Sequence, residues 1–219
     1  MIRRAALEVK PGMTVNLGIG LPTKVPAHVA SDIPVCLHSE NGISGVGPTL
    51  PEELADRNLI DAGGAYVSPL PGTAYFDSAV SFALVRKGRI DLSILGAFQV
   101  SESGDLANWV IPGLFTPGMG GAMELAQKSC RVVVLTTHQD KKGNAKIVKK
   151  CDLPVTAVGC VNRIITDMAV IDVTDNGMVL REVAEGLSVE HVVAATDAPL
   201  HIPEGDLPVF QAGNSREPA

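Results

Sequence analysis

The stretch Arg131-Val132-Val133-Val134-Leu135-Thr136 is apolar at every interior position and lacks the polar alternation of a strand with one wet face. Such a strand must be covered on both sides, which is the situation of parallel strands linked by helical crossovers in α/β proteins. The neighbouring patterns agree. Met13-Thr14-Val15-Asn16-Leu17 reads as a strand, Gly18-Ile19-Gly20 turns the chain, and Leu21-Pro22-Thr23 opens a helix over 21–30, with Pro22 where a missing N–H costs least. Pro34-Val35-Cys36-Leu37 leads a second strand toward Glu40, and 90–95 reads as another buried strand. Helices are expected over 1–9, 77–87 (Ala79, Phe82, Ala83 and Arg86 recur at helical spacing), 122–128 and 189–195. Residues 51–59 read as helical or irregular, 96–104 as a loop, 106–111 as extended and 112–117 as a linker. Beyond Pro154 the pattern becomes β-rich, with short apolar segments at 160–166, 168–173 and 178–183 and a hairpin turn at Asp175-Asn176-Gly177. The expectation is one α/β domain over 1–198, an open and mostly parallel sheet flanked by helices with a more β-rich C-terminal part. From Pro199 to 219, four prolines and two glycines suggest an irregular tail.

Composition narrows the partners. A net charge of −6 opposes attraction to phosphate backbones or anionic membranes, and only 4% of residues are aromatic, too few for a base-stacking platform. Neither nucleic acid nor membrane is expected, and no apolar run approaches the ~18 residues of a membrane helix. Cys36, Cys130, Cys151 and Cys160 form no C-x-x-C pair, and the first 30 residues lack a charged segment followed by an apolar one. They read as reduced thiols in a cytoplasmic protein.

Several chemistries are disfavoured by spacing. Gly18-x-Gly20 has Thr23 where a dinucleotide fingerprint needs its third glycine. Gly118 to Gly121 lacks the Lys-Ser/Thr of a P-loop, yet it leaves backbone N–H groups free at a helix start, where an oxyanion is stabilised. The five histidines show no metal-ligand spacing, so no metal is expected, and no serine sits in a G-x-S-x-G elbow. Trp109 reads as a core or interface anchor, and Lys141-Lys142 and Lys149-Lys150 as solvated charges. The remaining candidate is Glu40 in Ser39-Glu40-Asn41-Gly42, a carboxylate at a strand-to-loop junction followed by glycines that leave room for a bulky ligand.

Ser39-Glu40-Asn41-Gly42, Asn16-Leu17-Gly18-Ile19-Gly20, Gly104-Asp105-Leu106-Ala107-Asn108-Trp109 and Gly118-Met119-Gly120-Gly121-Ala122-Met123 together resemble the B subunit of family I (3-oxoacid type) coenzyme A transferases. The resemblance runs from about Val9 to Ala194 and continues through Lys142-Gly143-Asn144, Cys151-Asp152-Leu153-Pro154 and Asn162-Arg163-Ile164-Ile165-Thr166-Asp167. It implies the NagB/RpiA/CoA-transferase-like fold and a covalent nucleophile at Glu40. It also implies a backbone donor for the thioester oxygen at Gly121, with Gly118 and Gly120 shaping that loop, and an active-site amide at Asn16. Asn41, beside the nucleophile, is expected with Gly118 and Gly120 on the coenzyme A side. Coenzyme A would be a substrate rather than a bound cofactor, exchanged between an acyl-CoA and a free carboxylic acid. The partner implied is the complementary A subunit of a CoA-transferase, in an α2β2 assembly. One position departs, since Gly64 stands where relatives commonly carry lysine.

Two other readings use the same residues. An acyl-CoA hydrolase would intercept the Glu40 intermediate with water, and a non-catalytic ligand-binding protein could share the fold, because fold does not fix function.

Overall fold

All four residues from Val132 to Leu135 are buried, and their side chains alternate between two separate apolar cores. The structure, a computed structural model, describes residues 1–212. In chain order, helix α1 (Ile2–Ala6) precedes strand β1 (Thr14–Leu17), a 3-10 segment (Leu21–His28), β2 (Cys36–Ser39), β3 (Ile43–Thr49) and β4 (Val67–Tyr75). Helix α2 (Ser78–Arg86), β5 (Leu92–Leu95), β6 (Gln99–Ser101), β7 (Leu106–Ala107), helix α3 (Ala122–Lys128), β8 (Val132–Leu135) and β9 (Ile147–Val148) follow. The chain continues through β10 (Arg163–Ile165), β11 (Ala169–Thr174), β12 (Gly177–Ala184), helix α4 (Val189–Ala194), β13 (Leu200–His201) and β14 (Val209–Phe210).

The main sheet has the order β13-β12-β11-β10-β8-β5-β1-β2-β3-β4, with β14 also on β12. Its centre, β2-β1-β5-β8-β10, is parallel throughout, and antiparallel hairpins extend it on both sides. Val133 and Leu135 meet Ala5 and Ala6 of α1, Val25 and Ile94 on one face. On the other, Val132 and Val134 meet Ala126 of α3, Val192 of α4, and Val100, Leu106 and Ile147 from a small sheet of order β7-β6-β9. The α/β class, the largely parallel sheet and the β-rich C-terminal part thus stand as the sequence suggests, although one face is covered partly by that small sheet. Thr174 pairs with Gly177 around Asp175 and Asn176, the expected hairpin turn.

The structure departs from these expectations in a few places. Residues 21–28 form a 3-10 segment, because Pro26 lacks the N–H for an α-helical bond and its ring would clash with the carbonyl four residues back. Residues 43–75 hold a long irregular hairpin, of which the sequence suggests only 51–59, as helical or irregular, and Glu52–Leu54 there form a short 3-10 turn; β6 lies within 96–104, which the sequence suggests as a loop. The prolines of β4, Pro69 and Pro71, are tolerated because β4 is an edge strand, and register shifts interrupt its pairing with β3. The segment read as an irregular tail carries β13 and β14, whose backbone groups find partners along β12; residues 213–219 of that reading lie outside the described residues.

An ionic network joins the N-terminal helix to strands far along the chain. Glu8, 8% exposed, accepts from Arg4 (2.8 Å), Arg163 (2.7 Å) and Arg131 (3.2 Å). Arg163 and Arg181 share Asp172, and Arg4 grips Glu182 with two bonds. Burial alone would raise the Glu8 carboxyl, but the bonds from Arg4 and Arg163 outweigh it and hold the group below its ordinary value. Removing one member of a buried ionic cluster leaves its partners uncompensated. Glu8→Ala is therefore expected to lower the unfolding free energy by about 3 kcal/mol, read as a lower urea midpoint at unchanged slope. A loss below about 0.5 kcal/mol would mean that solvent replaces Glu8 freely.

Candidate active site

Parallel strands end together, so the residues just past β1, β2 and β5 share one edge of the sheet. That edge includes the point between β1 and β5 from which the chain leads to opposite sides of the sheet, β1 to β2 and β5 on to β8, the place where open α/β sheets bind ligands. The register sets Asn16 directly beside His38 on β2 and Ser93 on β5. Asn16 is fully buried, and its Nδ2 lies 3.1 Å from Glu40 Oε2, 3.1 Å from the His38 carbonyl and 3.2 Å from His38 Nδ1. Its Oδ1 is buried without a hydrogen-bond partner among the described residues. Glu40 itself, in the turn after β2, is half-buried.

The two glycine turns converge on that carboxylate. A β-carbon at Gly121 would stand 3.3 Å from Glu40 Cγ and 2.9 Å from Phe82 Cζ, so the start of α3 lies against Glu40 as closely as a bare backbone allows. Gly121 N–H donates no hydrogen bond among the described residues. Gly118 (φ 90°) and Gly120 (φ 49°) have free space around them, so their need for glycine is conformational. On the other side, Gly42 has φ 123° and a β-carbon there would overlap the Phe76 carbonyl, which lets β4 and the start of α2 close over the turn.

The residues flanking Glu40 hold the loop that follows β3. Ser39 Oγ accepts from Ala62 N at 2.8 Å, and Asn41 Nδ2 donates to the Ile60 carbonyl at 2.8 Å. Asn41 is thus a loop clamp in this structure, its amide nitrogen committed to protein. Asp61 Oδ1 folds the same loop by accepting from Gly63 N and Ala65 N. Gly64 sits at its tip with φ 82°, a conformation in which lysine would be strained. A cavity of about 760 Å³ opens beside Ser39, walled by Ile19 and Lys24 of the turn and 3-10 segment, by Val46 and by Ala62 of the loop. Glu40, Asn16 and Gly121 are not among its lining residues; it adjoins Asn16 and Glu40 through His38 and Ser39.

Sequence reading gave no site role to His38, Ser81 or Phe82. His38 is buried on β2, and its Nε2 meets Ser81 Oγ of α2 at 3.0 Å. The buried face of α2 is Ser81 and Val85, while Ala79 and Ala83 are turned outward. A serine four residues before a valine was the available signal, and it is weak. Burial pushes the Cys151 thiol up to about 11 and that of Cys160 up to about 12, so neither supplies a thiolate at neutral pH. Among the described residues no three His, Cys, Asp or Glu side chains gather as a metal site would need, and no helix is long and apolar enough to cross a membrane.

Comparison with known proteins supplies the context. The chain matches the family model described as Coenzyme A transferase over residues 1–195. It is 48% identical over 200 residues to the beta subunit of a probable coenzyme A transferase of Bacillus subtilis, covering 91% of this chain and 92% of that one. To the B subunit of the succinyl-CoA:3-ketoacid coenzyme A transferase of Helicobacter pylori it is 46% identical over 202 residues, covering 92% and 97%. In fold it is similar to the crystal structure of an acyl-CoA transferase apoenzyme from Escherichia coli O157:H7, with a TM-score of 0.76 at 21% identity. That match covers 96% of this chain and 42% of the other.

His38 shares one property with His138, which lies beyond the end of β8 between Thr166 Oγ1 (3.0 Å from Nδ1) and Thr196 Oγ1 (2.8 Å from Nε2). Burial lowers each imidazole from 6.5 to about 4, so both are neutral in the folded protein at pH 5 to 6, where the unfolded chain holds them protonated. Stability must therefore fall as pH drops from 6.5 toward 4, by up to about 1.4 kcal/mol per pH unit for each histidine. Urea midpoints measured between pH 4 and 7 check this, and a midpoint flat from 6.5 to 5 would contradict it.

Proposed function

The chain belongs to the coenzyme A transferase family, and from that membership we propose that it is the B subunit of an enzyme moving coenzyme A between an acyl-CoA and a free carboxylic acid through Glu40. The observation that carries this reading is the pairing of Asn16 Nδ2 with Glu40 Oε2 at 3.1 Å, with the bare backbone of Gly121 against Glu40 Cγ. An amide holding one carboxylate oxygen leaves the other to attack. A glycine at that distance leaves room for a thioester carbonyl.

The ionised carboxylate attacks the thioester carbon, and CoA thiolate departs to leave an acyl-glutamyl anhydride. The thiolate then attacks the glutamyl carbonyl, forming a Glu40-CoA thioester and releasing the donor acid as its carboxylate. An acceptor carboxylate reverses both steps and leaves as the new acyl-CoA. Carboxylates are weak nucleophiles toward thioesters, so the tetrahedral oxyanion needs a donor, and the uncommitted N–H of Gly121 is assigned this role. One such donor contributes about 3 to 4 kcal/mol. The cavity beside Ser39 offers volume for the parts of the substrate that do not react, whose binding energy can offset the cost of orientation.

Succinyl-CoA as donor and a 3-oxoacid as acceptor follow the name of the Helicobacter relative, with acetyl-CoA as a second candidate donor. Relatives named as B or beta subunits support a complementary A subunit as partner, and an α2β2 tetramer is the assembly we propose, with cytoplasmic location.

The test is a covalent trap. The chain, co-expressed with an A subunit of the family, is incubated with succinyl-CoA or acetyl-CoA and then with borohydride, which reduces a glutamyl thioester. Peptide mass spectrometry is expected to find reduction at Glu40 that depends on acyl-CoA and vanishes in Glu40→Ala; bound CoA without modification would remove the covalent mechanism. Gly121→Ala makes Phe82 or Glu40 give way by a fraction of an ångström, and is expected to lower turnover about tenfold, short of the roughly 100-fold cost of a ~1 Å displacement at a reacting group. Turnover within about twofold of wild type would mean that Gly121 does not position the reaction.

A further inference from the structure

Asn16 presents a single amide nitrogen with two hydrogens to three acceptors: the His38 carbonyl, His38 Nδ1 and Glu40 Oε2. A carbonyl and a carboxylate can only accept, so the amide orientation that puts Nδ2 toward them is required. With Nδ2 there, a proton on His38 Nδ1 would set donor against donor. His38 Nδ1 must therefore be the bare nitrogen, the proton sits on Nε2, and Nε2–H donates to Ser81 Oγ at 3.0 Å. Asn16 Oδ1 has no partner among the described residues, so nothing there fixes the carboxamide's rotation from its oxygen side.

We propose that His38, held by Ser81 of α2, is a positioning residue that aims the Asn16 amide at Glu40. His38 and Ser81 are 4% and 0% exposed, so water does not substitute for either contact. The helix that supplies Ser81 is set by its Asp77 cap, which accepts from Val80 N at 2.8 Å, and by Val85 in the core with Leu125 of α3. The same two helices thus carry Ser81, which reaches Glu40 through His38 and Asn16, and Gly121, which lies directly against it. This inference rests on the reading of Glu40 as the nucleophile.

The experiment compares His38→Leu, His38→Gln and Ser81→Ala, each co-expressed with the same A subunit. Glutamine carries an uncharged acceptor and donor side by side, as the neutral imidazole does, whereas leucine fills the space with neither. Expected for His38→Leu is a fall of about tenfold in kcat and in the rate of borohydride-trappable labelling at Glu40, with KM for succinyl-CoA within about twofold. His38→Gln is expected to recover most of that rate, and Ser81→Ala to lose about threefold. Thermal midpoints, and binding of CoA to each variant, separate misfolding from misplacement. Equal rates in His38→Leu and wild type would overturn the proposal, as would equal losses in the leucine and glutamine variants or a change confined to KM. If wild type itself gives no labelled Glu40, the transferase reading fails first; if wild type labels and His38→Leu labels equally fast, only the positioning role fails.

Discussion

Burying both faces of the central parallel strands is the constraint on which the rest depends. A sheet covered above and below offers ligands only its ends, so polar chemistry has to be carried by residues at the strand termini. Asn16 near the end of β1 and Glu40 just past β2 occupy that edge, and both come from a sheet whose interior residues are aliphatic. The density of packing there fixes their spacing, because strands in hydrogen-bonded register cannot slide without moving every side chain to the wrong face.

The site is assembled from groups that are individually costly to bury. Asn16 carries an oxygen unpartnered among the described residues, His38 is a desolvated imidazole, and two glycines bring backbone within contact of a carboxylate and of a carbonyl. Each cost is tolerable because the surrounding framework is over-determined. The Glu8 network ties the N-terminal helix to the start of β8, to β10 and, through Arg4, to β12, and His138 with its two threonines ties the end of β8 to the far end of α4. Polar groups buried at a cost beside Glu40 are thus supported by distant apolar and ionic contacts.

Much of the architecture was legible from local patterns. The unbroken apolar run at 131–136, the Asp175-Asn176-Gly177 turn and the alternation of strands with helices each have a short-range cause, and each appears in the structure. The misreadings arise where a longer-range partner overrides local preference. Residues 200–201 and 209–210 look irregular until β12 offers them its backbone. At the site, Glu40, Asn16 and Gly121 stood out by motif, whereas His38 and Ser81 did not. A histidine in a strand and a serine in a helix are ordinary alone, and only their 3.0 Å approach gives them meaning.

Sequence alone determined the α/β class, the strand-to-turn junctions and the identity of the carboxylate beside its glycines, because periodicity, turn chemistry and motif spacing are properties of neighbours along the chain. Only the tertiary structure decided that positions 16, 38, 40, 81 and 121 converge. Their contacts join separate strands, turns and helices, and what brings them together is strand register and helix docking. Those are set by the packing of the entire core, which no local stretch of residues encodes.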